Sequence, residues 1–266
     1  MKLMILTRKK LIVMGCCVLM AVVTLAVSLG SYGRAIETST SERKIPIYNV
    51  DTTEKVCAIS FDAAWGNEQT ETLLEILDKY KIKSTFFLVG QWVDKYPEDV
   101  KAIYDAGHDV GNHSDTHAHL PQLDKNGILK ELQSCNDKVK AITGKCPTLF
   151  RPPYGDYNNR VVQVSRAEGY EAVQWSIDSL DWKDRGTQDI IKRCTYKVEN
   201  GDIVLFHNDS NDIVNALPTV IQHYQGLGYT IVPVGQLILT GDYTIDVQGK
   251  QHPVQTTQPT QEPQQT

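Results

Sequence analysis

The chain has 266 residues, 41% of them hydrophobic and 22% charged, with 18 Gly, 11 Pro and a formal net charge of −5. These values exclude extended disorder, a collagen-like repeat and a polytopic membrane protein. The mildly acidic balance, with an isoelectric point near 5.8, carries no basic stripe, so no nucleic-acid partner is expected.

From Leu11 to Tyr32 the chain is apolar and uncharged, behind Lys2, Arg8, Lys9 and Lys10 and ahead of Arg34 and Glu37. About 20 apolar residues suffice to cross the hydrocarbon layer, and the basic flank favours a cytoplasmic N-terminus. Residues 1–36 are therefore read as a cytoplasmic stub and a single-pass signal anchor in the cell membrane, with everything after it outside. Cleavage near Ala26-Val27-Ser28 is the alternative, and it would give a secreted protein. The polar residues 37–47 read as an extracellular spacer, and the Gln/Thr/Pro-rich residues 241–266 as a flexible tail. Residues 48–240 remain as the folded domain, expected to be monomeric. Outside the apolar run lie Cys57, Cys135, Cys146 and Cys194; only Cys135 and Cys146 are close enough in sequence to suggest a disulfide, and no C-x-x-C spacing suggests structural zinc.

Within the domain, β-type runs at Val56–Phe61, Ser84–Val89, Asp109–Asn112, Thr148–Arg151, Ala172–Ile177, Ile203–Phe206 and Thr230–Pro233 alternate with helical patterns. The helices are predicted at Glu68–Tyr80, Trp92–Ala106, Gln122–Thr143, Asn158–Glu168, Gln188–Val198 and Val214–Gln225. Such alternation predicts a parallel sheet, open or closed into a barrel, with reactive groups gathered at the carboxyl ends of the strands. Five strands lead directly into residues suited to catalysis. These are Asp62 after the first, His113 to His117 after the third, Arg151 to Gly155 after the fourth, Asp178 to Trp182 after the fifth, and His207 after the sixth.

His113 and His117, four residues apart, are read as lying on one side of a helical turn, where they suit a divalent ion such as Zn²⁺; ordinary surface histidines are the competing reading. His119 offers an alternative ligand. Asp62 is a candidate base or ligand, or else a helix cap. Arg151 suits a two-pronged carboxylate contact or a plain ion pair. Tyr154-Gly155 suits an oxyanion-binding turn or a simple one, and His207 a general acid or a structural histidine. Trp65 and Trp182 suit a sugar groove, although large aromatics are more often core.

In this order and spacing the residues resemble the NodB-homology polysaccharide deacetylases, carbohydrate esterase family 4, from about Val56 to Leu239. The resemblance implies a distorted (β/α) barrel of about seven parallel strands. By resemblance, Asp62 matches the catalytic base, Arg151 the arginine that orients it, His207 the general acid and Asp181 the carboxylate that tunes that histidine. His113 and His117 match the metal-binding pair, with Zn²⁺ expected and Co²⁺ or Ni²⁺ as alternatives. The Tyr154 amide matches the oxyanion donor, and Trp182 and Leu205 match walls of the acetyl pocket. The implied activity is hydrolysis of N-acetyl groups on a GlcNAc- or MurNAc-type cell-wall polysaccharide, with peptidoglycan expected because the domain would face the wall. An O-acetyl esterase and a non-catalytic wall-binding protein are the alternatives. One departure motivates the last: where the family has a second aspartate that ligates the metal, this chain has Ala63. Asp115, between the two histidines, is a conceivable substitute.

Overall fold

The computed structural model describes residues 18–25 and 42–254. The chain falls into two compact units, residues 1–43 and 44–266. In the first, residues 18–25 form helix α1, where Thr24 Oγ1 donates to the Met20 carbonyl at 2.9 Å. Among the described residues no helix is long and apolar enough to cross a membrane, and most of the apolar run from Leu11 to Tyr32 lies outside them.

The second unit is built on one parallel sheet. Strands β2 (Val56–Ala63), β3 (Thr85–Leu88), β4 (Asp109–Asn112), β5 (Leu149–Phe150), β6 (Glu171–Ala172), β7 (Ile177–Asp178) and β8 (Ile203–His207) take the order β6-β5-β4-β3-β2-β8-β7, with β9 (Thr230–Val232) on the first half of β2. The predicted fifth strand, Ala172–Ile177, is two strands, and they form the opposite edges of the sheet. One short segment therefore bridges from β5 back to β8, and Ser176 N–H donates to the Ile203 carbonyl at 2.9 Å. That bridge makes the sheet a distorted barrel of seven strand-forming segments.

Helices α2 (Thr70–Lys79), α3 (Gly90–Lys95), α4 (Pro97–Asp105), α5 (Lys125–Thr143), α6 (Asn159–Ala167), α7 (Thr187–Thr195), α8 (Ile213–Gly226) and α9 (Val234–Leu237) complete the unit. The single helix expected over Trp92–Ala106 is broken at Tyr96 because Pro97 disfavours helical geometry in the residue before it and opens α4 instead. Alternation along β2 sorts its side chains. Cys57, Ile59, Phe61 and Ala63 enter one buried apolar cluster with Leu73, Leu77, Phe86 and Phe206, while Ser60 and Asp62 take the other face.

The folded unit is longer than its composition indicates. β1 (Asn49–Val50), β10 (Tyr243–Ile245) and β11 (Lys250–Pro253) form a second small sheet in which the two ends of the unit pair in parallel. Residues 243–253 are thus strands and a tight turn instead of flexible tail, and Gln251, fully buried, exchanges hydrogen bonds with Leu239. Residues from 255 onward lie outside the described ones. Ile45 and Ile47, assigned to the spacer, are buried, and Ile47 bridges to Val173. Cys135 and Cys146 do not pair: both are free, the first buried and the second exposed.

Gly201 joins the two sheets. Its φ of +82° and a Cβ position 1.9 Å from the Val50 carbonyl oxygen leave no room for a side chain. Gly144, at φ +75°, has nothing within 4 Å of its Cβ position. Gly144→Ala is expected to cost about 1 kcal/mol for the left-handed backbone alone, and Gly201→Ala clearly more because β1 must shift. Equilibrium denaturation of the two variants side by side checks the difference.

Candidate active site

The carboxyl ends of β2, β4, β5, β7 and β8 converge on a cavity of about 740 Å³ lined by Asp62, His113, His117, Tyr154, Trp182, Leu205 and His207, among others. Arg151 and Asp181 are buried beside it, at 0% and 1% exposure. Every residue singled out by resemblance is therefore in or next to one cavity.

Arg151 organises its floor. Its Nη1 donates to Asp62 Oδ1 at 2.8 Å, and its Nη2 donates to Ser60 Oγ at 2.9 Å and to the Gln174 carbonyl at 3.0 Å. Ser60 Oγ in turn donates to the Val204 carbonyl at 2.8 Å, and the guanidinium carbon lies 4.0 Å from the centre of the Phe87 ring. Burial works against the Asp62 charge, but Arg151, with smaller contributions from His113 and His207, outweighs it and holds the carboxyl below its ordinary range.

The histidine pair is positioned differently from expectation. Residues 113–117 are a bent loop in which Ser114 (φ 67°) and His117 (φ 57°) are left-handed, so there is no helical turn here. Asn112 and Ser114 hold this bend: Ser114 N–H donates to Asn112 Oδ1 at 2.9 Å and His117 N–H to Ser114 Oγ at 3.0 Å. Glu131, from α5, accepts from the Asp115 and Thr116 amides and from Thr116 Oγ1 at 2.8–3.0 Å. The rings of His113 and His117 end 4.9 Å apart.

His113 Nδ1 donates to the Arg151 carbonyl at 2.7 Å, so its Nε2 lone pair faces Asp62 Oδ2 at 3.4 Å. Burial outweighs Asp62 and keeps His113 below its ordinary pKa; burial and the neighbouring His113 push His117 down to about 3. Two neutral imidazoles, one aimed at a carboxylate oxygen with no proton between them, form a donor set that suits a divalent cation. The set stops at two histidines. Ala63 is fully buried in the apolar cluster, and among the described residues no three His, Cys, Asp or Glu side chains gather for a metal. Asp115 does not fill the gap, since its carboxylate forms an ion pair with Lys138 at 2.6 Å. His119 stacks on Tyr154, with ring centres 4.3 Å apart, and its Nδ1 lies 3.3 Å from Asp156, so it is not a third ligand either.

His207 stands opposite Asp62 in the β2–β8 register. Its Nδ1 contacts Asp181 Oδ1 at 2.7 Å, while its backbone N–H donates to Asp181 Oδ2 at 2.8 Å. Burial opposes the imidazolium, but the hydrogen bond and charge of Asp181, with Asp62 beyond, carry His207 above its ordinary pKa. Tyr154 is left-handed (φ 60°) between Pro153 and Gly155, and its ring and that of Trp182 are 55% and 56% exposed. Sequence reasoning missed the supporting groups Ser60, Gln174, Asn112, Ser114 and Glu131, which are polar residues inside strands, loops and a helix with no spacing to mark them.

A sequence profile of the polysaccharide deacetylase family matches residues 49–173. The chain is 33% identical over 200 residues to a peptidoglycan-N-acetylglucosamine deacetylase of Bacillus cereus, covering 72% of this chain and 92% of that one. It is 34% identical over 188 residues to the peptidoglycan-N-acetylmuramic acid deacetylase PdaC of Bacillus subtilis, covering 71% and 40%. The match takes in 60% of a further Bacillus subtilis relative, YlxY, so this chain spans less than two thirds of both Bacillus subtilis proteins. Among solved structures, a CE4 family pseudoenzyme from Bacillus anthracis superposes with a TM-score of 0.70 at 34% identity, over 72% of this chain and 68% of that one. The chain belongs to the polysaccharide deacetylase family.

Removing Arg151 strands a carboxylate in the floor. Arg151→Met is expected to cost about 3–5 kcal/mol at neutral pH. The native pairing holds the folded-state Asp62 pKa below the unfolded value, so its contribution is present above the carboxylate range and lost as pH falls through it. The deficit of the variant should therefore shrink as the pH is lowered and the orphaned carboxyl takes up a proton. Denaturant unfolding from pH 7 to pH 4 measures it.

Proposed function

We propose that this protein hydrolyses N-acetyl groups on a GlcNAc- or MurNAc-type cell-wall polysaccharide, with peptidoglycan as the principal substrate. The observation that carries this reading is the pairing across β2 and β8. Arg151 lowers the pKa of Asp62 and Asp181 raises that of His207, and both side chains line one cavity. A base and an acid whose pKa values are pushed apart on either side of a pocket are the equipment of amide hydrolysis.

A divalent ion, Zn²⁺ with Co²⁺ or Ni²⁺ as alternatives, would be held by His113 and His117 and would polarise the acetyl carbonyl and acidify water. With Oδ1 fixed by Arg151, Asp62 uses Oδ2 to take the proton of the attacking water. The Tyr154 backbone amide donates to the developing oxyanion. Trp182 and Leu205 wall the acetyl methyl, and His207 delivers a proton to the departing amine while Asp181 fixes its tautomer. The apolar run behind Arg8, Lys9 and Lys10 supports an anchored protein whose domain faces the wall.

The direct test is acetate release by the full chain from peptidoglycan and chitooligosaccharides, after chelation and with metal restored, alongside acetylated xylan to separate amide from ester cleavage. His113→Ala should abolish both metal retention and release. His207→Ala should lower kcat by roughly 10²–10⁴-fold. Asp181→Asn removes the interaction that raises His207, so the alkaline limb of the pH profile should move to lower pH; an unmoved limb would assign the acid to another group. Ala63 favours a second reading, a wall-binding protein without activity, and retention of glycan with neither metal nor acetate release would establish it.

A further inference from the structure

Trp65 has no part in the proposed hydrolysis, yet it lines the same cavity. It lies just beyond the end of β2 with its side chain 63% exposed, while the backbone beside it is fixed from inside the protein. The Gly66 carbonyl accepts from Trp92 Nε1 at 2.8 Å and from Asn208 Nδ2 at 2.9 Å, and Asn208 Nδ2 also donates to Thr70 Oγ1 at 3.1 Å. Trp92 and Asn208 are both buried. Two buried donors on one carbonyl thus hold in place the turn that carries an indole out into water, where its large apolar faces gain nothing from burial. The surroundings of the ring indicate what covers it. Trp65 meets His117 edge to face with ring centres 5.6 Å apart, and His117 meets Tyr154 at 4.3 Å, so these three rings form one side of the cavity. Trp182 and Leu205, the walls of the acetyl pocket, belong to the other side: Leu205 pairs with Asp178 at the end of β7, and Trp182 follows β7. In the strand order β8 separates β7 from β2. A sugar whose acetyl group enters that pocket therefore leaves the indole of Trp65 to the next ring along the strand. The cavity, about 740 Å³, is in the range that encloses a drug-sized ligand, which suits two sugar rings better than one.

We infer that Trp65 is a stacking platform for the pyranose next to the one that loses its acetyl group, so that the site selects a unit within a strand over a single sugar. The inference rests on the proposed reading for the place of the acetyl group and deepens it. The axial C–H groups of a β-linked glucosamine-type ring give it apolar faces, which pack on an indole while the equatorial hydroxyls stay in water. Because the turn that carries the ring is already fixed, little ordering entropy is lost when the sugar docks.

The test is titration of the full chain, followed by ligand-observed NMR so that weak binding is read, with N-acetylglucosamine, its β-1,4 oligomers up to the tetramer, and peptide-free GlcNAc–MurNAc strands of matching length. In the wild-type chain one step of the length series should tighten Kd by about tenfold, the order of one well-packed aromatic contact. Trp65→Ala should remove that step while the single sugar binds as before. Trp65→Gln, which fills similar space without a ring face, should do the same, and Trp65→Phe should restore most of the step. A length series with no such step, a step that survives in Trp65→Gln, or an equal loss for every ligand would overturn the inference. Loss of the step in the ringless variants, with no acetate released from any oligomer by the wild type, would sustain the platform and remove the deacetylase reading. Acetate release with a length step that no Trp65 variant moves would do the reverse, and no binding of any ligand would overturn both.

Discussion

A guanidinium removed from water is costly unless its charge and its N–H groups are met, and the site is arranged around meeting those of Arg151. Asp62 supplies the charge, Ser60 and the Gln174 carbonyl supply acceptors, and the flat face lies on Phe87. These partners come from β2, β3 and the segment between β6 and β7, so the ion pair is satisfied only when the barrel is assembled. The Arg151 carbonyl, in turn, sets the tautomer of His113. One buried interaction thus fixes the base, one imidazole and the relative placement of three strands; its value is in geometry more than in net stability, since a buried pair repays little beyond its desolvation.

The parts legible in the sequence were those in which an apolar run ends in a polar residue. Asp62, Arg151 and His207 each follow such a run directly, His113 follows the short strand Asp109–Asn112, and a parallel sheet brings strand ends to one side whatever the details of its closure. What stayed hidden depends on contacts distant in the chain. Glu131 gathers the loop of His113 to His117 from within an ordinary amphipathic helix, and nothing in α5 distinguishes it from its neighbours. The bend at Ser114 and His117 defeated the spacing rule, because two left-handed residues produce the same juxtaposition as a helical turn. Strands β10 and β11 are short, polar and rich in residues that composition assigns to a tail; they are ordered by pairing with β1, some 200 residues away. Pro97, by contrast, was readable, and the break it imposes between α3 and α4 follows from local sterics.

Ala63 shows how alternation along a strand limits what a position can do. Asp62 faces the cavity and Ala63 the helices, where it packs among Phe61, Leu88 and Val89 with no exposed surface. A methyl group there extends the apolar core to the last residue of β2. The metal question and the packing question therefore meet at one side chain, and the core has the simpler claim on it.

The closure of the barrel by residues 171–178 has a consequence for solubility. A sheet that ends in long strands offers rows of unpaired N–H and C=O groups to other chains, a standing hazard of association. Here each terminal strand is two residues long, and the chain between them is pinned to Ile47 on one side and Ile203 on the other. The barrel thus presents almost no template on which a second copy could add a strand, although no full-length strand completes it.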